Sequence, residues 1–190
     1  MNEADKLCTH FLSLGIEAEK LRKHPLEKAG VWGVLTRTSY PCRVRVAGKN
    51  IGYVGVIKAS SEYGTAYHLD YLVPLKDTPS PLCRAKLRTK TQSFGSTDII
   101  DIEWKGETLA DTLNGDLNLK QRLLEEFRLN KPLTIEITPE PAYQSARLKT
   151  RAGGTGFHFP SRNMFDCLDR IAAHVIKTAE LLNEGAGTVK

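Results

Sequence analysis

Short β-type runs follow one another from residue 31 to residue 104, and no helical pattern separates them. The runs VWGVLTR, PCRVRVAG and IGYVGVIKA are rich in β-branched and aromatic residues, as strands are. The sequence GKN at 48–50 predicts a hairpin turn between two of these runs. Consecutive strands, unlike strands that alternate with helices, favour an α+β fold with a mainly antiparallel sheet.

Helical spacing occurs on both sides of this β-rich region. An apolar stripe at steps of three and four residues predicts an N-terminal helix over about 4–23. Asn114 and Gly115 predict a break between two short helices, and Asp116 and Ser161 are typical N-caps of the helices that follow. The remaining predicted elements are a helical pair over 107–129, a β-hairpin over 133–151, a C-terminal helix over 161–183 and a flexible tail over 184–190.

The chain of 190 residues is long enough to bury one sizeable core, and it contains no internal repeat or low-complexity linker. We therefore expect a single domain over 1–190. Its sheet should have about seven strands, with the terminal helices and the short helical pair packed on one face. The other face of such a sheet is commonly exposed to water.

Cations recur at every second position in three predicted strands. Successive side chains of a strand point to opposite faces, so each series lies on one face, opposite apolar residues that pack on the helices. The nine cations are Arg84, Lys86, Arg88 and Lys90 in CRAKLRTKT, Arg147, Lys149 and Arg151 in AYQSARLKTR, and Arg43 and Arg45 in PCRVRV.

Carboxylates on neighbouring strands could neutralise these cations. The sequence offers three such partners, Asp101, Glu103 and Glu136, so six cations would stay uncompensated if all the strands shared one face. Such an excess is typical of a surface for an acidic partner or nucleic acid. The alternative is a solvated, partly ion-paired face, and the choice depends on strand order, which the sequence leaves open.

Aromatic residues are sparse around these cations, which limits the modes of nucleic-acid recognition. Only Tyr143 and Phe94 share the parity of the cations, and bases stack on exposed aromatic side chains when sheets bind single strands. The sequence contains no aromatic RNA-recognition motif, helix-turn-helix signature or zinc finger. Binding by this face would therefore depend on charge and on salt concentration.

A glycine-rich segment, RAGGTGFHFPSR at 151–162, is a second candidate anion site. It precedes a predicted helix, whose free N–H groups attract anions, and glycines allow a phosphate to approach the backbone. Its spacing fits neither GxxxxGK[ST] nor GxGxxG. The candidate residues are Gly153, Gly154, Gly156, Ser161 and Arg162.

No catalytic or metal-binding constellation is predicted. The four cysteines are scattered without a CxxC pair, so free thiols are expected in place of zinc ligands or disulfides. His68 and Asp70 share a strand face, but we interpret them as a structural polar pair or as two exposed side chains. Cys167 and His174 lie near one face of the last helix, and two ligands do not make a metal site. No cofactor is expected.

These observations predict a non-enzymatic binding or interaction module whose cationic sheet face takes an anionic partner. Two alternatives stay open: a small-ligand-binding protein or enzyme that uses the 151–162 loop, and a structural subunit of a homo-oligomer. The net charge of +5 favours acidic partners slightly. No apolar run is long enough for a membrane span, and Glu3 and Asp5 replace the cations of an export signal, so we expect a cytoplasmic protein.

Overall fold

In the part of the chain that the structure describes, eight antiparallel strands and four α-helices form an α+β fold. Our computed structural model describes residues 3–21, 37–61, 64–92, 98–129, 133–152 and 159–187. The helices are α1 (Glu3–Ser13), α2 (Thr108–Asn114), α3 (Leu117–Leu129) and α4 (Arg162–Gly187). The strands are β1 (Ala18–Lys20), β2 (Arg37–Val46), β3 (Tyr53–Ser61), β4 (Gly64–Pro74), β5 (Ala85–Thr91), β6 (Ile99–Gly106), β7 (Leu133–Glu140) and β8 (Ser145–Ala152).

The strands lie in the order β1-β2-β3-β4-β8-β7-β5-β6 within one sheet. The predicted α+β class and antiparallel sheet are confirmed, with eight strands in place of about seven. The β2–β3 turn at 48–50 and the β7–β8 hairpin also form as predicted. The described register of β5 with β7 consists of two residue pairs, Ala85↔Ile137 and Lys86↔Glu136. Most of the predicted run 31–37 lies outside the described residues.

The additional strand arises because the N-terminal helix is shorter than the sequence pattern predicts. Gly15 has a φ of +69° just after α1. The Gly15 N–H donates to the Leu12 carbonyl, and the Ile16 N–H donates to the Phe11 carbonyl, both at 2.9 Å. This pair of bonds is a Schellman motif, which ends a helix at glycine. The predicted helix over 4–23 is therefore wrong from Leu14 to Leu21, and 18–20 pairs with β2 as β1, while 22 and 23 lie outside the described residues.

The helices cover one face of the sheet, where the apolar core lies. Leu7 and Phe11 of α1 are fully buried, as are Phe165 and Leu168 of α4. The Phe11 and Phe165 rings meet edge to face, with centroids 5.2 Å apart. They pack with apolar strand residues such as Tyr71, which is 1% exposed. The predicted packing of helices on one face is thus confirmed.

The predicted caps between the helices are confirmed. The Leu119 N–H donates to Asp116 Oδ1 at 3.0 Å, so Asp116 caps α3, and α2 ends at Asn114. Asn114 has a second role, because its side-chain amide accepts from the Trp104 N–H and donates to the Trp104 carbonyl, both at 2.9 Å. It thereby pairs outward backbone groups of β6, the edge strand, as a neighbouring strand would.

The last helix begins as predicted and ends later than predicted. Ser161 Oγ accepts from the Met164 N–H at 2.9 Å, which confirms Ser161 as the cap of α4. Residues 184–187 belong to α4, so the predicted flexible tail is wrong for these four, while 188–190 lie outside the described residues. Among the described helices, none has the length and apolar character that crossing a membrane requires.

Candidate anion-binding sheet face

The cations in the three strands lie on the sheet face opposite the helices, as their alternation predicts. In β5, Ala85 and Leu87 are buried, while Arg88 and Lys90 are exposed. The alternation extends back through Arg84, which is exposed and is followed by buried Ala85. In β8, buried Ala146, Leu148 and Thr150 alternate with Arg147, Lys149 and Arg151.

The strands that carry the cations do not adjoin. β7 lies between β5 and β8, and β3 and β4 separate β8 from β2. Glu136 of β7 is the cross-strand partner of Lys149 on one side and of Lys86 on the other. Asp70 of β4 is the second neighbour of Lys149. Carboxylates therefore stand between the cations at the centre of the face.

Cations towards the two edges of the sheet form ion pairs. Lys90 Nζ lies 3.6 Å from carboxylate oxygens of both Asp101 and Glu103. Glu103 also accepts a hydrogen bond from Lys105 at 2.6 Å, and this bond is the largest cause of its lowered pKa. At the opposite edge, Arg45 pairs with Glu19 at 3.9 Å. These pairs are partly exposed to water, so each is weak.

The part of the face that β2, β3 and β4 form is buried, so the expectation of a water-exposed face is wrong there. Ile57 and Leu72 are 3% and 5% exposed, and two charged residues, Arg43 and Asp70, are 3% and 1% exposed. The sequence leaves two interpretations of Asp70, a structural polar pair with His68 or an exposed side chain. The structure buries Asp70, so the second interpretation is wrong. Arg147 Nε lies 3.4 Å from Asp70 Oδ2, and Arg147 Nη2 lies 3.1 Å from Glu140 Oε1.

On this face of the sheet, three titratable groups of β4 and β8 have shifted pKa values, and in two of them nearby cations contribute to the shift. Burial raises the pKa of Asp70 to about 6, against the opposing effect of Arg147 and Arg43. Burial lowers the pKa of Lys149, and the nearby charge of Arg151 lowers it further. Burial, Arg151 and Lys149 lower the pKa of His68. Clustered shifts of this kind are common at functional sites.

Five cations on this face form no ion pair with any described residue. They are Arg84, Lys86, Arg88, Lys149 and Arg151, and we call them the cationic cluster. Arg84, Arg88 and Arg151 are exposed, whereas Lys86 and Lys149 are partly buried. Between the two groups lies β7, with Glu136 beside Lys86 and Lys149, and exposed Thr134 beside Arg151. Three carboxylates are cross-strand neighbours of the cluster, Glu136, Asp70 beside Lys149 and Glu103 beside Arg88, so the five cations retain a positive excess.

The glycine-rich loop is described only in part. Gly153, Gly154 and Gly156 lie outside the described residues, so the predicted anion site there stays a prediction. Ser161 Oγ donates to Glu126 Oε2 at 2.9 Å, which brings a buried carboxylate to the start of α4. Arg162 donates to the Leu14 carbonyl and pairs with Asp166 at 3.2 Å. Both side chains at the helix start thus contribute to packing of α4.

The other candidate residues have structural partners. His174 Nε2 lies 2.8 Å from Asp116 Oδ2, and Cys167 is buried, with a pKa that burial raises to about 11. Asp169 accepts from the N–H groups of Asn50 and Ile51 at 2.8 and 3.1 Å, which attaches the β2–β3 turn to α4. Within the described residues, no group of three or more histidine, cysteine, aspartate or glutamate residues could hold a metal ion.

Comparisons of the chain with protein-family models, with curated proteins and with solved structures found no match. The candidate site therefore rests on its own geometry. The sequence placed the cations on one face but missed two carboxylates there, Asp70 and Glu140. The alternation of side chains along β4 indicates the face on which Asp70 lies. The burial of Asp70 and the position of Glu140 beside Arg147 depend on tertiary structure, which that alternation does not reveal.

Proposed function

We propose that this chain is a non-enzymatic binding module and that the cationic cluster binds an anionic partner. The observation that carries the proposal is the set of five cations without ion pairs among the described residues, which lie on or next to the two strands that flank β7. Burial and the charge of Arg151 lower the pKa of Lys149, which supports the proposal, because an incoming anion would stabilise the charged form of this lysine.

Recognition by charge, without base stacking, is the mode that these strands support. The sequences of β5, β7 and β8 contain no aromatic residue on which a nucleobase could stack. Carboxylates and phosphates would both be accepted, since arginine and lysine bind either group. We therefore expect RNA, DNA and acidic peptides of similar charge to bind with similar affinity and with strong salt dependence.

Fluorescence anisotropy tests this proposal with labelled single-stranded RNA, labelled duplex DNA and a labelled polyglutamate peptide, at low and at near-physiological salt. The test variant combines Arg88→Ser and Arg151→Ser, which removes two cations without ion pairs. We expect its affinity to fall by on the order of tenfold and its salt dependence to become shallower, because fewer counter-ions are released on binding.

The matched control combines Lys90→Ser and Lys105→Ser, which removes the same number of charges from ion pairs with Glu103. It should lose much less affinity than the test variant, although its net charge is identical. Equal losses in the two variants would mean that net charge alone attracts the anions. Absence of binding to all three probes at low salt would refute the proposed function.

We propose that this binding occurs in the cytoplasm. The described cysteines Cys8, Cys83 and Cys167 carry free thiols, and free thiols persist in reducing compartments. Burial raises the pKa of Cys8, Cys83 and Cys167, which keeps these groups in the unreactive thiol form. The cysteines therefore serve packing and do not add a redox activity to the proposed function.

A further inference from the structure

Asp70 lies next to the cationic cluster, on the same face of the sheet, so its charge acts on Lys149 directly. On β4 it has Lys149 of β8 as its cross-strand partner on one side and Gly55 of β3 on the other. Gly55 contributes no side chain, so the charged groups near Asp70 come from β8 and, beyond Gly55, from Arg43 of β2. Arg147 Nε, on the same strand as Lys149, lies 3.4 Å from Asp70 Oδ2.

Charged and titratable groups face Asp70 from several strands. The carboxylate is surrounded by more cations than anions, and the described groups are Arg147 and Lys149 from β8, Arg43 from β2, Glu140 from β7 and His68 from β4 itself. Ionised Asp70 therefore offsets part of a positive charge that extends into the cationic cluster through Lys149.

Among the described residues, the carboxylate finds none of the hydrogen bonds that normally hold a buried charge. Neither oxygen of Asp70 accepts a hydrogen bond from any described residue, and the side chain is 1% exposed. Charge attraction alone then opposes the cost of burial, and the pKa of Asp70 is raised to about 6. A proton can be added without breaking a hydrogen bond to a described residue, so the group can change its charge in place.

We propose that Asp70 is a proton-controlled counter-ion of the cationic cluster, a role that rests on the proposed function. When Asp70 is ionised, its charge neutralises part of the field of Arg147 and Lys149. When it takes up a proton from solvent, that field becomes available to an external anion. By linkage, binding of the anion favours uptake of the proton at Asp70.

The experiment measures the affinity of a labelled oligouridylate by anisotropy from about pH 8 to about pH 5, at constant ionic strength. This probe is chosen because its phosphodiesters and bases keep their charge over that range. For the unmodified protein, the affinity should rise by about fivefold or more as the pH falls, as is usual for a coupling of this kind. Asp70→Asn should bind at about pH 8 as the unmodified protein does at about pH 5, with little further change.

His68 is the second group near this face that can gain charge as the pH falls, and His68→Asn is therefore the control. This variant should keep most of the pH dependence of the unmodified protein. A pH dependence that persists in Asp70→Asn and disappears in His68→Asn would overturn the inference and leave the proposed function intact. Absence of binding at every pH, in every variant, would refute the proposed function and this inference with it.

Discussion

Asp70 influences folding stability as well as charge, because a carboxylate that is 1% exposed is costly to ionise. The pKa of Asp70 is about 6 in the folded protein and near the ordinary aspartate value of 3.8 when unfolded. A raised carboxylate pKa means that the folded state holds the proton more tightly. Between about pH 4 and pH 6 the folded state therefore binds more protons, and stability falls as the pH rises through this window.

We expect Asp70→Asn to remove this pH dependence. Relative to the unmodified protein, the variant should gain on the order of 2 kcal/mol of unfolding free energy between about pH 4.5 and about pH 8, since one pKa unit corresponds to about 1.4 kcal/mol and part of the titration lies below about pH 4.5. Urea denaturation at several pH values measures this difference. Parallel stability curves for the two proteins would show that Asp70 has a similar pKa in the folded and unfolded states.

The sequence predicts on which face of a strand a residue lies more readily than it predicts whether that face is buried. Alternation in AYHLDYLVP placed Asp70 opposite Tyr71 and away from the helices, and the structure agrees. The same alternation predicted exposure of that face, because antiparallel sheets commonly leave one face wet. The burial of Arg43 and Asp70 depends on tertiary contacts, and no local pattern encodes it.

At the scale of elements, local signals determine where helices begin and end. Aspartate and serine are typical N-cap residues, which predicts Asp116 and Ser161 as caps. In the structure, each of these side chains accepts a hydrogen bond from the N–H group three residues ahead. The end of α1 was missed, because the apolar stripe continues past it: Leu14 and Ala18 still pack against the core. The signal that could have located this end is Gly15, since helices commonly end at a glycine.

Substitution of two glycines tests this account of α1. Gly15→Ala places a side chain at a φ of +69° and should destabilise the protein by about 1–2 kcal/mol. The added Cβ would lie 3.7 Å from the nearest atom, an ordinary contact, so backbone conformation is the cause of this cost. Thermal or urea unfolding measures the change.

Gly185→Ala is the matched control, because Gly185 lies within α4 and an added Cβ there meets no atom within 4 Å. Alanine favours a helix interior over glycine by about 0.5–1 kcal/mol, so this variant should be as stable as the unmodified protein or slightly more stable. A Gly15→Ala protein as stable as Gly185→Ala would contradict the role of Gly15 in ending α1.

At the scale of the whole molecule, strand order decides how the charges combine, and strand order results from contacts between distant parts of the chain. The sequence supplied the basic strands β5 and β8 and the carboxylate of β7, but it did not place β7 between them. That placement leaves a carboxylate, Glu136, at the centre of the cationic cluster. A face that looked uniformly basic in sequence is therefore a mixture of opposite charges with a local excess.

The same strand order creates a narrow joint, because β5 and β6 join the rest of the sheet through two residue pairs between β5 and β7. The helices extend across this joint. α4 packs against β4 and β8 on one side and against α2 and α3 on the other, and α2 and α3 pack on β6. We infer that α4 makes the two parts of the sheet fold as one unit, while the single domain over 1–190 stays a prediction.

Urea unfolding followed by two signals tests this inference. The chain has two tryptophans, and Trp32→Phe leaves Trp104 of β6 as the only fluorescent reporter of the smaller part of the sheet. Its midpoint should coincide with that of far-UV circular dichroism, which reports the whole chain. Leu123 of α3 is fully buried, so Leu123→Ala should lower the unfolding free energy by about 2–5 kcal/mol. Both urea midpoints should fall together in this variant. A Trp104 transition that precedes the other would mean that β5, β6, α2 and α3 unfold separately.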